Sequence, residues 1–380
     1  MLTKTANRSE NCIQEIFTGS NGVVSAVVVL FGFLAATLLL MVIGRNPAGM
    51  YQAIVQVVSG YDSRRGTWNV RYVGEWLVTS LPLILCALSM GFAVRSGLFN
   101  IGAEGQYIAG LTAAQFIALY FPRIPVLHWT AAVLGAMALG SAWGGIAGFL
   151  KARYRVSEVV STIMMNYIAL YAHRIVTLKI PGSNTFRTPD FPVTALISGS
   201  MLSSLTNGSR LGYGLWFTAA AVLIYWIIME KTTLGYALQT AGFNRDAARY
   251  AGIRVNFNIT AAMAISGSFA ALAGASVSLG IFTHGRVLVS FDNYGFDAIA
   301  VAICGNCTAA GITVMGLLFG MLKSAQPLMQ SRQIPRDIAT IIMGLVVIFI
   351  SLRAGIKIFV EWKMKKNLLG KETGAGREDC

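Results

Sequence analysis

The chain contains 380 residues, of which 55% are hydrophobic and only 12% charged, and its formal net charge is +14. A soluble protein carries about 25% charged residues, so the apolar excess excludes an ordinary soluble domain and predicts burial in a lipid bilayer. The Lys and Arg residues lie between and after apolar segments, and they form no basic patch interleaved with aromatic residues. Nucleic-acid binding is therefore not expected.

Ten apolar segments along the chain are candidates for membrane-spanning helices. Helices are expected because backbone polar groups inside lipid must be hydrogen-bonded within the chain, and the period-two alternation of a β-barrel is absent. We therefore predict an all-α polytopic membrane protein with about ten transmembrane helices. The predicted spans are residues 23–43, 76–94, 104–121, 129–150, 157–174, 214–230, 258–281, 295–310, 311–330 and 337–352.

The basic residues also predict an orientation, because cytoplasmic loops carry an excess of Lys and Arg. The first span is longer than the apolar core of a typical signal peptide, so we expect it to be retained in the membrane. Both termini are then predicted to be cytoplasmic. The predicted organisation is a cytoplasmic segment 1–22, a transmembrane region 23–352 with external loops 44–75 and 175–213 and a cytoplasmic loop 231–257, and a basic cytoplasmic tail 353–380.

The cysteines predict neither a disulfide framework nor a metal centre. Among the five cysteines only Cys304 and Cys307 form a Cys-x-x-Cys pair, and this pair lies inside an apolar stretch with no second pair and no His nearby. A metal or redox site would need such partners, so packing of small residues between helices is the simpler interpretation.

A short motif occurs twice and indicates an internal repeat. Asn100 and Glu104 belong to one Asn-x-Gly-x-acid pattern, and Asn293 and Asp297 belong to the other. Each copy opens a predicted span rich in Gly and Ala, the third and the eighth, so the two copies enter the membrane from opposite sides. This arrangement predicts a 5+5 inverted repeat with interrupted helices.

Polar side chains in these segments are candidates for lining a solute pathway. Glu104 is costly at membrane depth and so suggests a function, but it could instead cap its own helix or pair with Arg95. Asn166, inside the fifth predicted span, could face a polar path or bond to a neighbouring helix. The pathway candidates are Asn100, Glu104, Gln106, Asn166, Asn293, Asp297 and Asn306.

The predicted cytoplasmic loop 231–257 contains the signals of a short, capped helix. Asn244 is a good N-cap, Asp246 favours a first turn and Gly252 suits the position after a helix end, so a helix is predicted over residues 245–251. Small residues leave it a smooth face that another protein could approach, although an ordinary interfacial helix is the alternative. These small residues are Ala247, Ala248 and Ala251.

Two of these segments resemble a known family of transporters. The run from Asp246 to Gly252, acidic-Ala-Ala-x-x-x-Gly, resembles the loop by which permeases of ABC importers dock their ATPase. Residues 99–106, FNIGAEGQ, resemble the signature of the branched-chain amino acid/simple sugar permease family. Within that family, the permeases of nucleoside importers that use a basic-membrane-protein-type binding lipoprotein are most similar. The similarity also covers residues 44–47, 160–170 and 294–302, while Cys304 and Cys307 depart from the Gly-Gly/Asn turn expected in the family.

The resemblance implies a membrane-spanning permease subunit of an ATP-driven importer for a small polar solute. A nucleoside is the implied substrate, with a simple sugar or a branched-chain amino acid as the alternative. The implied partners are an ABC ATPase subunit that binds the ATP, a second homologous permease, and an external binding lipoprotein or binding protein. This chain would bind no cofactor or metal and would be no enzyme, and the sequence around Lys323 and Ser324 lacks the glycines of a phosphate-binding loop. The implied ATPase-docking residues are Gly242, Asn244, Asp246, Ala247, Ala248 and Gly252.

A transporter of a different class is the remaining alternative. In an ion-coupled secondary transporter, Glu104 and Asp297 would bind protons or cations inside the membrane. Such a protein has no need for the docking motif in residues 242–252, so this motif favours the ATP-driven reading.

Overall fold

Helices form most of the described chain. The computed structural model describes residues 21–335, 337–338, 340–345 and 348. The larger of two compact units comprises residues 51–328, and the smaller comprises the described residues up to 50 and from 329 onwards. The helices are α1 (Asn21–Val42), α2 (Ala48–Ser59), α3 (Arg71–Arg95), α4 (Ala103–Tyr120), α5 (Leu127–Tyr154), α6 (Glu158–Leu178), α7 (Ser200–Leu205), α8 (Gly214–Lys231), α9 (Thr233–Phe243), α10 (Arg245–Tyr250), α11 (Val255–Gly280), α12 (Tyr294–Cys304) and α13 (Ala309–Gln330). Two antiparallel strand pairs join β1 (Tyr61–Asp62) to β2 (Thr67–Trp68) and β3 (Arg187–Asp190) to β4 (His284–Arg286).

The predicted class, an all-α polytopic membrane protein, is confirmed, whereas the count of ten spans is not. Within the described residues, six helices have the length and hydropathy to cross a membrane: α3, α5, α6, α8, α11 and α13. Two shorter apolar stretches are Leu30–Val42 within α1 and the whole of α12. The predicted span 337–352 lies partly outside the described residues. The first 20 residues and the predicted tail 353–380 lie wholly outside them.

One predicted span is wrong as a complete membrane crossing. The sequence predicts a helix over residues 295–310, but α12 ends at Cys304 after 11 residues. At 1.5 Å per residue it is about 16 Å long, roughly half the thickness of the hydrocarbon layer. The chain then turns through Asn306 and Cys307, which both have positive φ, and continues as α13. The structure therefore has a half-helix here, as the interrupted-helix prediction requires.

The predicted loops contain more regular structure than their sequences indicate. Residues 44–75 include α2 and the β1–β2 hairpin, and residues 175–213 include the last turn of α6, strand β3 and α7. The loop 231–257 is largely helical, because α9 precedes the predicted short helix. These helices are too short and too polar to show the continuous hydropathy of a membrane span.

Helix α11 lies at the centre of the larger unit and packs against α3, α4 and α5. Small residues allow the close approach: a Cβ atom placed on Gly144 of α5 would lie only 2.3 Å from the carbonyl oxygen of Met263 on α11. Helices α3 and α11 are mostly buried, whereas α6 and α8 leave most of their surface open. Polar residues on α3, α4 and α11 are consequently enclosed by protein.

Two loops meet at one end of the larger unit, which we call the docking end. Arg95 at the end of α3 forms an ion pair with Glu230 at the end of α8. Just beyond, Gly97 packs against Gly242, and a Cβ atom on Gly242 would lie 2.2 Å from the carbonyl oxygen of Ser96. Only glycine at position 242 permits this backbone contact between the α3–α4 loop and the end of α9.

We expect Gly144→Ala to destabilise the protein by about 1–3 kcal/mol, because the new Cβ atom would force α5 away from α11. Thermal unfolding of the detergent-solubilised protein measures this effect. Gly145→Ala is the matched control, since its Cβ atom would make an ordinary 3.6 Å contact with the Cβ atom of Ala264. The control should be neutral or slightly stabilising, because Ala is a better helix former than Gly. Equal losses of stability in both variants would contradict the tight packing of α5 on α11.

Candidate functional site

Glu104 joins the starts of two helices inside the bundle. It lies in the first turn of α4, its side chain is fully buried, and it accepts two backbone hydrogen bonds from the start of α12. The donors are the N–H of Asn293, 2.9 Å from Oε1, and the N–H of Gly295, 2.5 Å from Oε2. A carboxylate suits this position because helix starts leave N–H groups unpaired and carry a partial positive charge.

The sequence left two structural roles open for Glu104, which are capping its own helix and pairing with Arg95. The side chain caps a helix start, but that helix is α12 and not its own. The alternative pairing with Arg95 is wrong, because Arg95 pairs with Glu230. Glu104 and Asn293 are in direct contact, so the two copies of the Asn-x-Gly-x-acid motif meet. The wider 5+5 repeat stays a prediction.

Gly295 makes the junction possible. A Cβ atom at this position would lie 2.3 Å from the backbone nitrogen of Glu104 and 2.6 Å from its Cα atom. The two helix starts therefore touch backbone to backbone. Asn293, which precedes α12, adopts the left-handed conformation with φ of 64°, a conformation that Asn tolerates better than most residues.

Asn166 supports the start of α4 from α6. Its Oδ1 accepts the N–H of Gly105 at 2.7 Å, and its Nδ2 donates to the carbonyl oxygen of Ile101 at 3.0 Å. Both polar ends of this buried amide are thus bonded to backbone. Asn166 thus bonds to a neighbouring helix, and its place on a solute pathway stays a prediction.

Asn100 and Gln106 belong to a buried polar cluster with two serines. Nδ2 of Asn100 donates to Oε1 of Gln106 at 2.8 Å and to Oγ of Ser266 at 2.7 Å, and Ser266 lies 2.9 Å from Oγ of Ser89. Oδ1 of Asn100 accepts the N–H of Gly102 at 3.0 Å. All four side chains are buried. The cluster ties α3, α4 and α11 together, and its exposure to a solute pathway stays a prediction.

Asp297 has a partner that the sequence analysis missed. Its Oδ2 lies 2.5 Å from Nζ of Lys323 on α13, and this ammonium group lies 4.9 Å from the centre of the Tyr294 ring. Both charged side chains remain partly open, with 30% and 17% of their surface exposed. An ionisable residue inside an apolar span is itself a signal of function, so Lys323 within residues 311–330 could have been selected on that ground.

A second charged group fixes the loop that leads to α12. Asp292 forms a bidentate pair with Arg286, with both N–O distances 2.7 Å, and accepts the hydroxyl of Tyr107 at 2.8 Å. His173 on α6 accepts the N–H of Leu288 at 3.2 Å. The sequence did not single out these residues, because Tyr107 and His173 are distant in the chain from the loop that they contact, and only the tertiary structure brings them together.

Asn306 occupies the turn between α12 and α13 and is exposed, away from the junction at Glu104. Cys304 and Cys307, which flank it, are buried. The hydroxyl of Tyr225 donates to the carbonyl oxygen of Cys307 at 2.5 Å. A pathway role for Asn306 stays a prediction.

The docking loop folds as its sequence indicates. Helix α10 runs from Arg245 to Tyr250, and Oδ1 of Asn244 accepts the N–H groups of Asp246 at 3.1 Å and Ala247 at 3.0 Å. At the other end Gly252 has φ of 77°, and the N–H of the next residue bonds back to the carbonyl oxygen of Ala248 at 2.9 Å. These are the N-cap and the Schellman motif, and both ends of this short helix are therefore fixed.

The expected smooth face of α10 needs one correction. Ala248 is completely buried, so its side chain faces the interior of this chain and cannot contact a partner. Ala247 and Ala251 are exposed, because they lie on the side of the helix that faces away from the rest of the chain. Large exposed aromatic side chains lie on α10 and in the neighbouring segments of the chain. Their exposed fractions are 83% for Phe243, 95% for Tyr250, 69% for Tyr236 and 65% for Phe257.

Apolar crossing helices, a half-helix and polar groups buried at the start of interrupted helices together define a multi-pass membrane protein built like a transporter. Comparison with known proteins agrees with this class. The sequence matches the family described as "Branched-chain amino acid transport system / permease component" over residues 72–351, and the chain belongs to this family.

Several relatives cover most of the chain. The guanosine ABC transporter permease protein NupP of Bacillus subtilis is 36% identical over 91% of this chain and 97% of its own length. The nucleoside ABC transporter permease protein NupB of Lactococcus lactis is 33% identical over 89% of this chain and 92% of its own length. The glucose ABC transporter permease protein TsgB13 of Haloferax volcanii is 30% identical over 73% of this chain and 75% of its own length.

We expect Glu104→Ala to destabilise the protein by about 2–6 kcal/mol, since each of two buried backbone donors left unpaired costs about 1–3 kcal/mol. Glu104→Gln should lose less, because its amide oxygen can still accept one of the two bonds. Thermal unfolding of the purified proteins measures this, and we expect stability to fall from wild type to Glu104→Gln to Glu104→Ala. An Ala variant as stable as wild type would show that the contact does not hold the two helix starts together.

Proposed function

We propose that this chain is the membrane-spanning subunit of an ATP-driven importer that carries a nucleoside across the cytoplasmic membrane. The proposal rests on the capped helix α10, which has exposed aromatic side chains on it and next to it in the chain. It also rests on relatives whose names specify guanosine and nucleoside transport. In this proposal the chain binds no cofactor and catalyses no reaction. ATP binds to a separate ATPase subunit, and this chain supplies part of the solute path.

The docking end is the contact site for the ATPase. A contact that transmits force must be rigid, and the two fixed ends of α10 provide that rigidity. It must also have an open apolar surface, and aromatic side chains such as Tyr250 and Phe243 are the type that concentrates binding energy at interfaces. An exposed Tyr at 95% has no stabilising role within this chain alone, so a partner surface explains its position best.

The remaining partners follow from the same architecture. A second homologous permease completes the path, and an external binding lipoprotein or binding protein delivers the solute at the end opposite the docking loop. The docking loop then lies in the cytoplasm, and so do both termini. The known preference of cytoplasmic loops for Lys and Arg supports this orientation through Lys231, Arg245, Arg249 and Arg254.

A simple sugar is the second candidate substrate, supported by the relative named for glucose. The nucleoside is preferred, because the two relatives named for guanosine and nucleoside match more of the chain at higher identity. A branched-chain amino acid has only the family description behind it.

Uptake by the reconstituted transporter tests the proposal directly. The chain is assembled with its ATPase, its second permease and its binding protein in vesicles, and entry of labelled guanosine is measured with and without ATP. We expect uptake only with ATP, and competition by unlabelled guanosine but not by glucose or leucine. Uptake driven by a proton or sodium gradient without the ATPase would instead establish a secondary transporter, and selective competition by glucose would establish the sugar.

We expect Ala247→Trp to abolish uptake and to lower recovery of the ATPase with the purified permease by about tenfold or more, because the bulky ring would prevent close docking. Insertion and abundance should stay near wild type, since Ala247 is exposed. Ser63→Trp, an equally exposed site in the β1–β2 turn, is the matched control and should be neutral. Normal ATPase recovery with Ala247→Trp would place the coupling site elsewhere.

A further inference from the structure

Helices α4, α12 and α13 each contain one charged side chain, and these three side chains have different surroundings. Glu104 is buried and both of its carboxylate oxygens are bonded to backbone. Asp297 and Lys323 are partly open, and among the described residues each has only the other as an ionic partner. We propose that Asp297 and Lys323 face the aqueous solute path and contact the transported nucleoside directly, an inference that rests on the proposed function.

The cost of placing charge in lipid excludes a lipid-facing position for this pair. Charged groups near the centre of a bilayer are expensive, and an ion pair offsets that cost only when its remaining polar atoms are also satisfied. In the part of the chain that the structure describes, Oδ1 of Asp297 has no hydrogen-bond partner, and Lys323 has no acceptor besides Asp297. These unpaired groups require water or a polar ligand.

The surroundings fit a solute that combines hydroxyl groups with an aromatic base. The free carboxylate oxygen of Asp297 can accept hydrogen bonds from the two adjacent hydroxyls of a ribose. The ammonium group of Lys323 can donate to a carbonyl oxygen or ring nitrogen of a base. Tyr294 and Phe296 precede Asp297 in the sequence and are partly exposed, so their rings offer surface on which a base can stack.

The position of the pair connects it to the junction. Asp297 lies one turn into α12, and the start of that helix is held by Glu104. Lys323 comes from α13, so the pair bridges the half-helix and the following span. A solute bound here would contact the half-helix whose start is fixed by the α4 junction.

A purely structural ion pair between α12 and α13 is the competing explanation, and substitution separates the two. We expect Asp297→Asn and Lys323→Met each to lower guanosine uptake by about ten- to a hundredfold. This is the effect expected when one hydrogen bond between the solute and a charged group is lost. The exchange variant Asp297→Lys with Lys323→Asp should stay equally low, because it restores the ion pair but moves both groups away from their positions on the solute. Recovery of uptake in the exchange variant would overturn the proposal.

Accessibility to a charged thiol reagent gives an independent measurement. The five native cysteines are first replaced in a form of the complete transporter that still imports guanosine, and single cysteines are then introduced. Asp297→Cys breaks the ion pair, so Ala300→Cys, one turn further along α12 and also partly exposed, provides a milder variant. Val314→Cys is the control, because it is 60% exposed and lies nine residues, or half a turn beyond two complete turns, from Lys323 on the opposite side of α13.

We expect the reagent to modify positions 297 and 300 but not 314, and saturating guanosine to slow modification at 300, where Asp297 is intact, by about tenfold or more. No modification at 297 and 300 would place the pair outside the aqueous path, and modification that guanosine leaves unchanged would remove the contact with the solute. Either result overturns the inference. Failure of the proposed function is distinguishable, because in that case the unsubstituted transporter itself does not import guanosine with ATP.

Discussion

The carboxylate of Glu104 bonds two backbone N–H groups at the start of α12, and the interior of the bundle depends on this contact. A half-helix that begins inside a membrane has unpaired donors and no water to satisfy them, so another part of the chain must supply the acceptor. A carboxylate is suited to this role, because it accepts more than one bond and its charge is favourable at a helix start. Glu104 is therefore part of the framework and not a free charge.

The opposite helix start is supported in the same way, with neutral side chains. Asn166 accepts the N–H of Gly105, and Asn100 accepts the N–H of Gly102. Gly295 lets the two starts come into backbone contact. The polar groups of this junction are hydrogen-bonded. The junction differs in this respect from Asp297 and Lys323, whose polar groups are partly open. The buried polar groups of the junction are thus bonded, whereas the partly exposed pair is open.

The docking end lies a short distance along the chain from this junction. Gly242 contacts Gly97 through backbone atoms, and Asn100 follows three residues later. If α10 moves in the cleft of an ATPase, we expect the start of α4 to move with it, because the backbone contact between Gly242 and Gly97 links the two segments. That start carries Glu104, which holds α12, and α12 carries Asp297. A series of contacts therefore connects the proposed ATPase contact with the proposed solute contact.

The membrane class, most of the helices, the capped helix at residues 245–251 and the family resemblance were accessible from the sequence. Each depends on local signals: hydropathy over about 20 residues, an N-cap followed by a C-terminal glycine, or a contiguous motif. The structure corrected predictions wherever the deciding contact joins residues distant in the chain. Helix α12 is a half-helix because the chain turns at Asn306 and Cys307 and continues as α13, and Ala248 is buried because α10 presents that side to its own chain. The pairing of Asp297 with Lys323 was invisible for the same reason, since sequence places charges along a chain but only tertiary packing decides which of them meet.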